Sequence, residues 1–253
     1  KEFGRVIKEG PVEDFANRER IAKLLRFAST HTDSDAQDVA LEAYVARMKT
    51  GQDKIYYVTA DSFAAAKNSP HLEIFRKKGI EVLLLSDRVD EWLTSHLHDF
   101  AGKPLQSIAK GDLDLGGMED QAQKEELEKA AGELKDLTAK MKETLGDKVK
   151  EVRISQRLTR SPSCLVVEEH DMAVGFQKML KAAGHAVPSS APILEINPQH
   201  PLVVRLNNET DTQRIADWTY LLFDQALLNE GGQLDDPTAF VQRLNDMLML
   251  LTK

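Results

Sequence analysis

Apolar and polar positions alternate most densely toward the carboxyl end, between Asp211 and Lys253. Two helices joined by a tight polar turn are predicted there. In the second, Asp236 can cap the first free amides and Pro237 takes the first helical position, where proline is tolerated best. Phe240, Leu244, Met247 and Leu251 then recur at steps of four and three, with Val241 and Leu248 beside them, as in a heptad seam. The preceding helix carries Ile215, Trp218, Leu221, Leu222, Phe223, Ala226, Leu227 and Leu228. From Trp218 to Leu228 only Thr219, Asp224 and Gln225 are clearly polar, so the helix is apolar nearly all round. The expectation is that one neighbour cannot cover it. A second copy of the same pair would, closing a four-helix bundle across a two-fold axis. Packing of both helices onto their own domain alone is the bland alternative.

Upstream the pattern changes period. Pro11 to Ala28 reads as a helix, and Leu41 to Met48 as a shorter one. Ile55-Tyr56-Tyr57-Val58-Thr59 is β-branched and aromatic, hence a strand. A helical crossover from Ser62 to Lys78 leads to a second strand, Ile80 to Leu85, so a parallel βαβ unit is expected. Asp87 to Phe100 is predicted as a helix and Leu105 to Ile108 as a strand. Lys110 to Gly117, small and acidic, is the best linker candidate. One long charged helix from Glu119 to about Leu145 is expected next, with Gly132 weakening it. Val149–Leu158 and Ser163–Val167 read as strands joined by a turn at Ser161-Pro162, followed by a helix from Met172 to Ala183 and an extended Ile193–Ile196. Leu202 to Asn207 starts a further helix. The fold class is therefore α/β plus α+β: a small βαβ-containing subdomain, then an α+β domain ending in the helix pair.

Composition narrows the function. The 253 residues are 42% hydrophobic and 29% charged, typical of a globular chain, and the net charge of −8 argues against a general nucleic-acid binder. No apolar run approaches the roughly 18 residues of a membrane span. Cys164, the single cysteine, excludes an internal disulfide and suits a reducing cytoplasm, so a cytoplasmic location is expected. The opening phrase Lys1-Glu2-Phe3-Gly4 reads as a cut from a longer protein. Catalytic candidates are weak. Neither Gly116-Gly117 nor Gly231-Gly232 follows a strand with phosphate-loop spacing, and His96 and His98, two apart on a helix, cannot share a metal. No catalytic constellation and no metal site are expected. Met172, Phe176, Met179 and Leu180 fall at i, i+4, i+7 and i+8, which fits a core stripe or a surface for varied apolar partners. Trp92 carries the same ambiguity between core anchor and exposed binding aromatic.

Several stretches carry a family resemblance. Lys54–Thr59, Asn68–Glu73, Arg76–Leu83, Asp87–Trp92, Ser155–Pro162, Leu194–Pro198 and Gln225–Leu228, in that order, resemble the ninety-kilodalton heat-shock chaperone family, in its bacterial form. The resemblance implies that residues 1–116 are the end of the family's middle domain and 117–253 its carboxy-terminal dimerisation domain. It places ATP and Mg in a domain before Lys1, so no cofactor and no enzymatic activity are expected here. It also implies a homodimer, unfolded or partly folded client proteins as partners, and other chaperones as further candidates, while charge and hydropathy lead to the expectation of no nucleic-acid or membrane partner.

The client-binding positions implied are Glu91, Trp92, Ser95, Met172, Phe176, Met179 and Leu180. Ser95 and Phe176 depart from the family, which has an amide and a methionine there. The dimerisation set is Trp218, Leu221, Leu222, Leu228, Phe240, Leu244, Met247, Leu248 and Leu251. The alternatives are a purely architectural dimeriser and a nucleotide-binding enzyme domain on the βαβ unit.

Overall fold

A computed structural model describes residues 3–118, 121–172, 177, 180, 184 and 190–251, with only the backbone at 250 and 251. The chain divides into two compact units, Lys1–Asp120 and Gln121–Lys253.

The first unit is built on five strands: β1 (Ala28–Ser29), β2 (Ile55–Thr59), β3 (Leu83–Leu85), β4 (Asp99–Phe100) and β5 (Lys103–Ser107), in the order β1-β3-β2-β5-β4. β2 runs parallel to β3, with Tyr57 opposite Leu83, and parallel to β5, with Ile55 opposite Leu105. The expected parallel βαβ unit is present, its crossover made by the helices Phe63–Lys67 and Glu73–Lys78. Alternate side chains of a strand point to opposite faces. Ile55 and Tyr57 meet Leu41, Tyr44, Leu93 and Leu97 on one face. Tyr56 and Val58 meet Leu72, Phe75, Ile80 and Leu115 on the other. Both faces are covered, which is why β2 reads as an unbroken apolar run.

Three expectations in this unit are corrected. Pro11–Ala28 is not one helix. Helices span Gly4–Glu13 and Arg18–Ala22, and between them the Asp14 carboxylate accepts from the Asn17 amide at 3.2 Å, a local cap that competes with helix continuation. Asp87–Phe100 is helical only over Asp90–Thr94. Asp99 and Phe100 instead form β4, antiparallel to β5, around a two-residue turn of Ala101 (φ 52°) and Gly102 (φ 71°). Both turn residues are left-handed, matching the twist a tight hairpin needs.

Nor is Lys110–Gly117 a loose linker. The Tyr56 hydroxyl donates to the Asp114 carbonyl at 2.9 Å, Lys54 pairs with the Asp114 carboxylate, and Leu115 is buried in the core. Gly116 lies at φ 59°, and a Cβ there would come within 2.8 Å of an Asp53 carboxylate oxygen.

In the second unit the strands β6 (Val152–Ile154), β7 (Ser163–Val166) and β8 (Ile193–Ile196) form a sheet ordered β6-β8-β7. β6 and β7, expected to be joined directly by a turn, are separated by β8, which is parallel to β6 and antiparallel to β7. The expected long helix is two, Gln121–Glu133 and Lys135–Leu145, broken where Leu134 leaves helical geometry (φ −101°, ψ 9°). The second of these points Leu137, Met141 and Leu145 into the core, beside Leu134. The helix Pro201–Asn207 follows, then Thr212–Asn229 and Pro237–Leu251. Asp211 caps Thr212–Asn229 by accepting from the Gln213 and Arg214 amides at 2.9 and 3.2 Å. The helix stops at Gly231 (φ 72°), where the Gly232 amide donates back to the Leu227 carbonyl at 2.9 Å.

Candidate functional site

Trp92 sits on the Asp90–Thr94 helix with its side chain outward, 61% exposed. Leu93 and Leu97 on the opposite side are buried against β2 and β3 residues. The sequence ambiguity is resolved for this residue: Trp92 is a surface aromatic. Ser95 is exposed, but its hydroxyl turns back to donate to the Trp92 carbonyl at 2.8 Å, and the His96 Nδ1 lies 2.9 Å from the same oxygen. Glu91 faces inward. Its carboxylate accepts from the Thr59 hydroxyl and lies 3.9 Å from the Lys110 ammonium, with its side chain only 15% exposed.

The same short helix is fixed on its other flank by a buried charge cluster that sequence reasoning missed. The Lys8 Nζ lies 2.8 Å from an oxygen of Asp87 and 2.8 Å from one of Asp90. The Arg5 Nε and the Gln37 amide donate to Asp87 at 2.9 Å each, and the Asp87 amide donates to Asp90 at 2.9 Å. Burial raises the Asp87 carboxyl, but the hydrogen bonds and charges around it, Lys8 foremost, bring it below the usual value. For Asp90 burial prevails over Lys8, and its carboxyl is pushed up. Arg5 and Lys8 lie 82 and 79 positions from Asp87 and Gln37 lies 50 away, so no local motif could have announced them.

The second candidate surface is only partly described. Met172 is 40% exposed and Leu180 is half-buried. Phe176 and Met179, like most of the predicted Met172–Ala183 helix, lie outside the described residues.

The third surface belongs to the terminal helices. Leu221 and Leu222 are each 1% exposed and Met247 is 4% exposed within a single chain. Their side chains are already covered within a single chain. The reason is that Thr212–Asn229 has more than one neighbour: Ser163 of β7 donates to the Leu222 carbonyl at 2.9 Å, and the Tyr220 hydroxyl donates to the Thr144 carbonyl at 3.0 Å. Trp218 is half-buried against the same core.

What stays in water is Leu228 at 45%, Val241 and Leu248 at 51% each, and Met249 at 62%, with Phe240 and Leu244 half-buried. The side chain of Leu251 lies outside the described residues' side chains. Across residues 237–249 Met247 is the one buried side chain among those described. The two helices are tied by Arg243, which stacks 4.5 Å over the Tyr220 ring and approaches Asp217 at 3.7 Å and Asp224 at 3.8 Å.

Beneath these surfaces the second unit holds its own buried charges. The Glu195 carboxylate of β8 accepts from the Arg157 Nε at 2.9 Å, from an Arg153 guanidinium nitrogen at 2.9 Å and from the Ser155 hydroxyl at 2.8 Å. Burial pushes the Glu195 carboxyl up, and the two guanidinium charges more than offset it, so it lies below the usual range. Among the described residues no group of three or more His, Cys, Asp or Glu is placed to hold a metal, and no helix is long and apolar enough to cross a membrane.

The sequence matches the model of the family described as Hsp90 protein over residues 1–253. It is 63% identical over 249 residues to the chaperone protein HtpG of Nitrosomonas eutropha, covering 98% of this chain and 39% of that one. Against HtpG of Nitrosospira multiformis the identity is 64% over 249 residues, with the same two shares, 98% and 39%. Against HtpG of Burkholderia ambifaria it is 64% over 247 residues, again 98% and 39%. The chain thus spans about two fifths of the length of these relatives, 39% in each case.

Proposed function

The chain belongs to the Hsp90 family of chaperones, and on that premise we propose that it dimerises through its last two helices and offers exposed apolar side chains to unfolded proteins. The observation that carries the dimer is the Pro237–Leu251 helix, which over residues 237–249 buries only Met247 among the described side chains. Val241, Leu248 and Met249 project from it and Leu228 from its neighbour. Each such side chain gains roughly 1.5–3 kcal/mol on full burial. A micromolar dimer needs a net of about 8 kcal/mol, so a few of them from each copy suffice after the costs of association. A second copy of the helix pair provides the same faces and closes a four-helix bundle.

For clients, Trp92 is the anchor of the first unit, and Met172, with Phe176, Met179 and Leu180 on its predicted helix, that of the second. A large exposed aromatic and flexible methionines suit partners of varied sequence. On this reading ATP and Mg bind in the remaining length of the parent protein, this stretch carries no catalysis, and the protein works in the cytoplasm.

Light scattering tests the dimer. The expected mass is twice 28.3 kDa, and a well-folded single copy at high concentration overturns it. Fluorescence anisotropy with reduced, carboxymethylated α-lactalbumin tests the client surface. Trp92→Ala and Met172→Ser should weaken binding without dissociating the dimer, whereas unchanged binding would leave an architectural dimeriser.

A further inference from the structure

Trp92 projects from a helix of five residues, Asp90–Thr94. An isolated helix needs about 12–15 residues to be even marginally stable in water. The direction in which the indole points is therefore set by whatever holds this one turn. Two polar anchors do so. On one flank the Lys8 ammonium, whose side chain is 2% exposed, bridges Asp87 and Asp90, which are 4% and 1% exposed, at 2.8 Å each. On the other, the Glu91 carboxylate is held by the Thr59 hydroxyl at the end of β2 and by Lys110 at 3.9 Å. Apolar packing supplies Leu93 and Leu97 underneath.

A buried lysine between two aspartates is a costly way to gain stability, since well-packed apolar residues often do as well. What charges and hydrogen bonds add is direction: the ammonium must meet two carboxylates at once, and the Glu91 carboxylate must meet a hydroxyl fixed on a strand. Together they leave the turn one rotational setting, with Trp92 and Ser95 outward.

We propose that Lys8 and Thr59 are positioning residues for client binding, and that Glu91 serves the same purpose from within rather than by touching the client. The inference rests on the reading of Trp92 as a client contact. Its consequence is that affinity depends on side chains buried beneath the surface. If the binding-competent setting is populated only about a third to a tenth of the time without an anchor, the apparent Kd rises about three- to tenfold.

The test uses the whole chain labelled with 5-fluorotryptophan, which gives one fluorine signal for Trp92 and one for Trp218, together with anisotropy of reduced, carboxymethylated α-lactalbumin. The first variant combines Lys8→Met, Asp87→Asn and Asp90→Asn, so that no buried charge is left alone. The second is Thr59→Val, which keeps every charge and secures the test if the first fails to fold. The expected result in both is a shifted or broadened Trp92 signal, an unchanged Trp218 signal and a Kd raised about three- to tenfold. Glu91→Gln keeps an acceptor for the Thr59 hydroxyl but removes the charge that faces Lys110, so it should shift the Trp92 signal and raise the Kd together, by less than Thr59→Val does.

An unmoved Trp92 signal with unchanged Kd in the Thr59→Val variant overturns the inference. So does loss of binding in Glu91→Gln with an unmoved Trp92 signal, which would make Glu91 a direct contact. Trp92→Ala separates the two levels of argument. If it leaves binding intact, the client reading falls. If it weakens binding while the anchor variants do not, only the positioning inference falls.

Discussion

The two units hold exposed apolar side chains at their surfaces by opposite means. In the first, a single turn carrying Trp92 is fixed by buried charges, Lys8 with Asp87 and Asp90, that reach it from the helix Gly4–Glu13. In the second, Val241, Leu248 and Met249 ride on a fifteen-residue helix. That helix is long enough to hold its own hydrogen-bond ladder and is tethered by Met247 and by Arg243 over Tyr220. The buried charges of this unit, Arg157 and Arg153 around Glu195, lie in its sheet region. The lesson is that the same kind of charge cluster serves different ends. In the first unit it sets the direction of a surface residue, and in the second it holds a core together.

Removing a partner from each cluster sharpens this contrast. Glu195→Ala leaves two guanidinium groups without their shared carboxylate, and Arg157 is 1% exposed. The expected loss is about 3–5 kcal/mol of unfolding free energy, read by urea denaturation. Little change would mean that the cluster contributes no cohesion. Leu222→Ala should cost about 2–5 kcal/mol by the same measurement, because the side chain is core within one chain.

Val241→Asp with Leu248→Asp should do the reverse. Unfolding of the single unit shifts by no more than about 0.5 kcal/mol per exposed site. The dimer dissociation constant rises at least about a hundredfold, from roughly 3 kcal/mol of lost association energy. Sedimentation at several concentrations reads it, and an unchanged constant removes this face from the interface.

Acid distinguishes the clusters more gently. The Glu195 carboxyl is raised by burial but brought below its ordinary 4.5 by the two arginines. A depressed carboxyl contributes stability that is present above the unfolded value and lost as pH falls through the folded one. In the first unit the two carboxyls oppose each other. Asp87 is lowered beneath 3.8, whereas burial raises Asp90 above 3.8, so Asp90 contributes stability at low pH that is lost as pH rises through its folded value. As pH falls below 4.5, the fluorine signal of Trp218 should lose its native position before that of Trp92. The opposite order would show that Asp90 does not offset Asp87.

The smallest effect is expected at Gly132, which is helical and has open space where a Cβ would project. Gly132→Ala should stabilise the second unit by about 0.5–1 kcal/mol, seen as a small rise in the denaturation midpoint.

Much of the fold could be read locally. β2 occupies the five residues whose β-branched and aromatic run predicted it, and its parallel partner β3 follows after the predicted crossover. The cap at Asp236 is where helix-start chemistry placed it, accepting from the Ala239 amide at 2.9 Å. Less of the candidate site could be read. Glu91 and Trp92 are neighbours in sequence, yet one faces Thr59 and Lys110 and the other water. The Ala101-Gly102 turn was hidden because alanine gives no hint of a left-handed backbone. The Lys110–Gly117 segment looked flexible from composition, although Tyr56 and Lys54 strap it down.

The sequence by itself determined where β2 and the last two helices form, and that those two helices carry more apolar surface than a solvent-facing pair would. Side-chain periodicity and local capping suffice for that, because both act within a few residues. Only the tertiary structure decided that Leu221, Leu222 and Met247 are covered while Leu228, Val241 and Leu248 are not, that β8 separates β6 from β7, and that Lys8 reaches Asp87 and Asp90. Each depends on groups brought together from distant parts of the chain, where burial and charge pairing, rather than local propensity, set the energy.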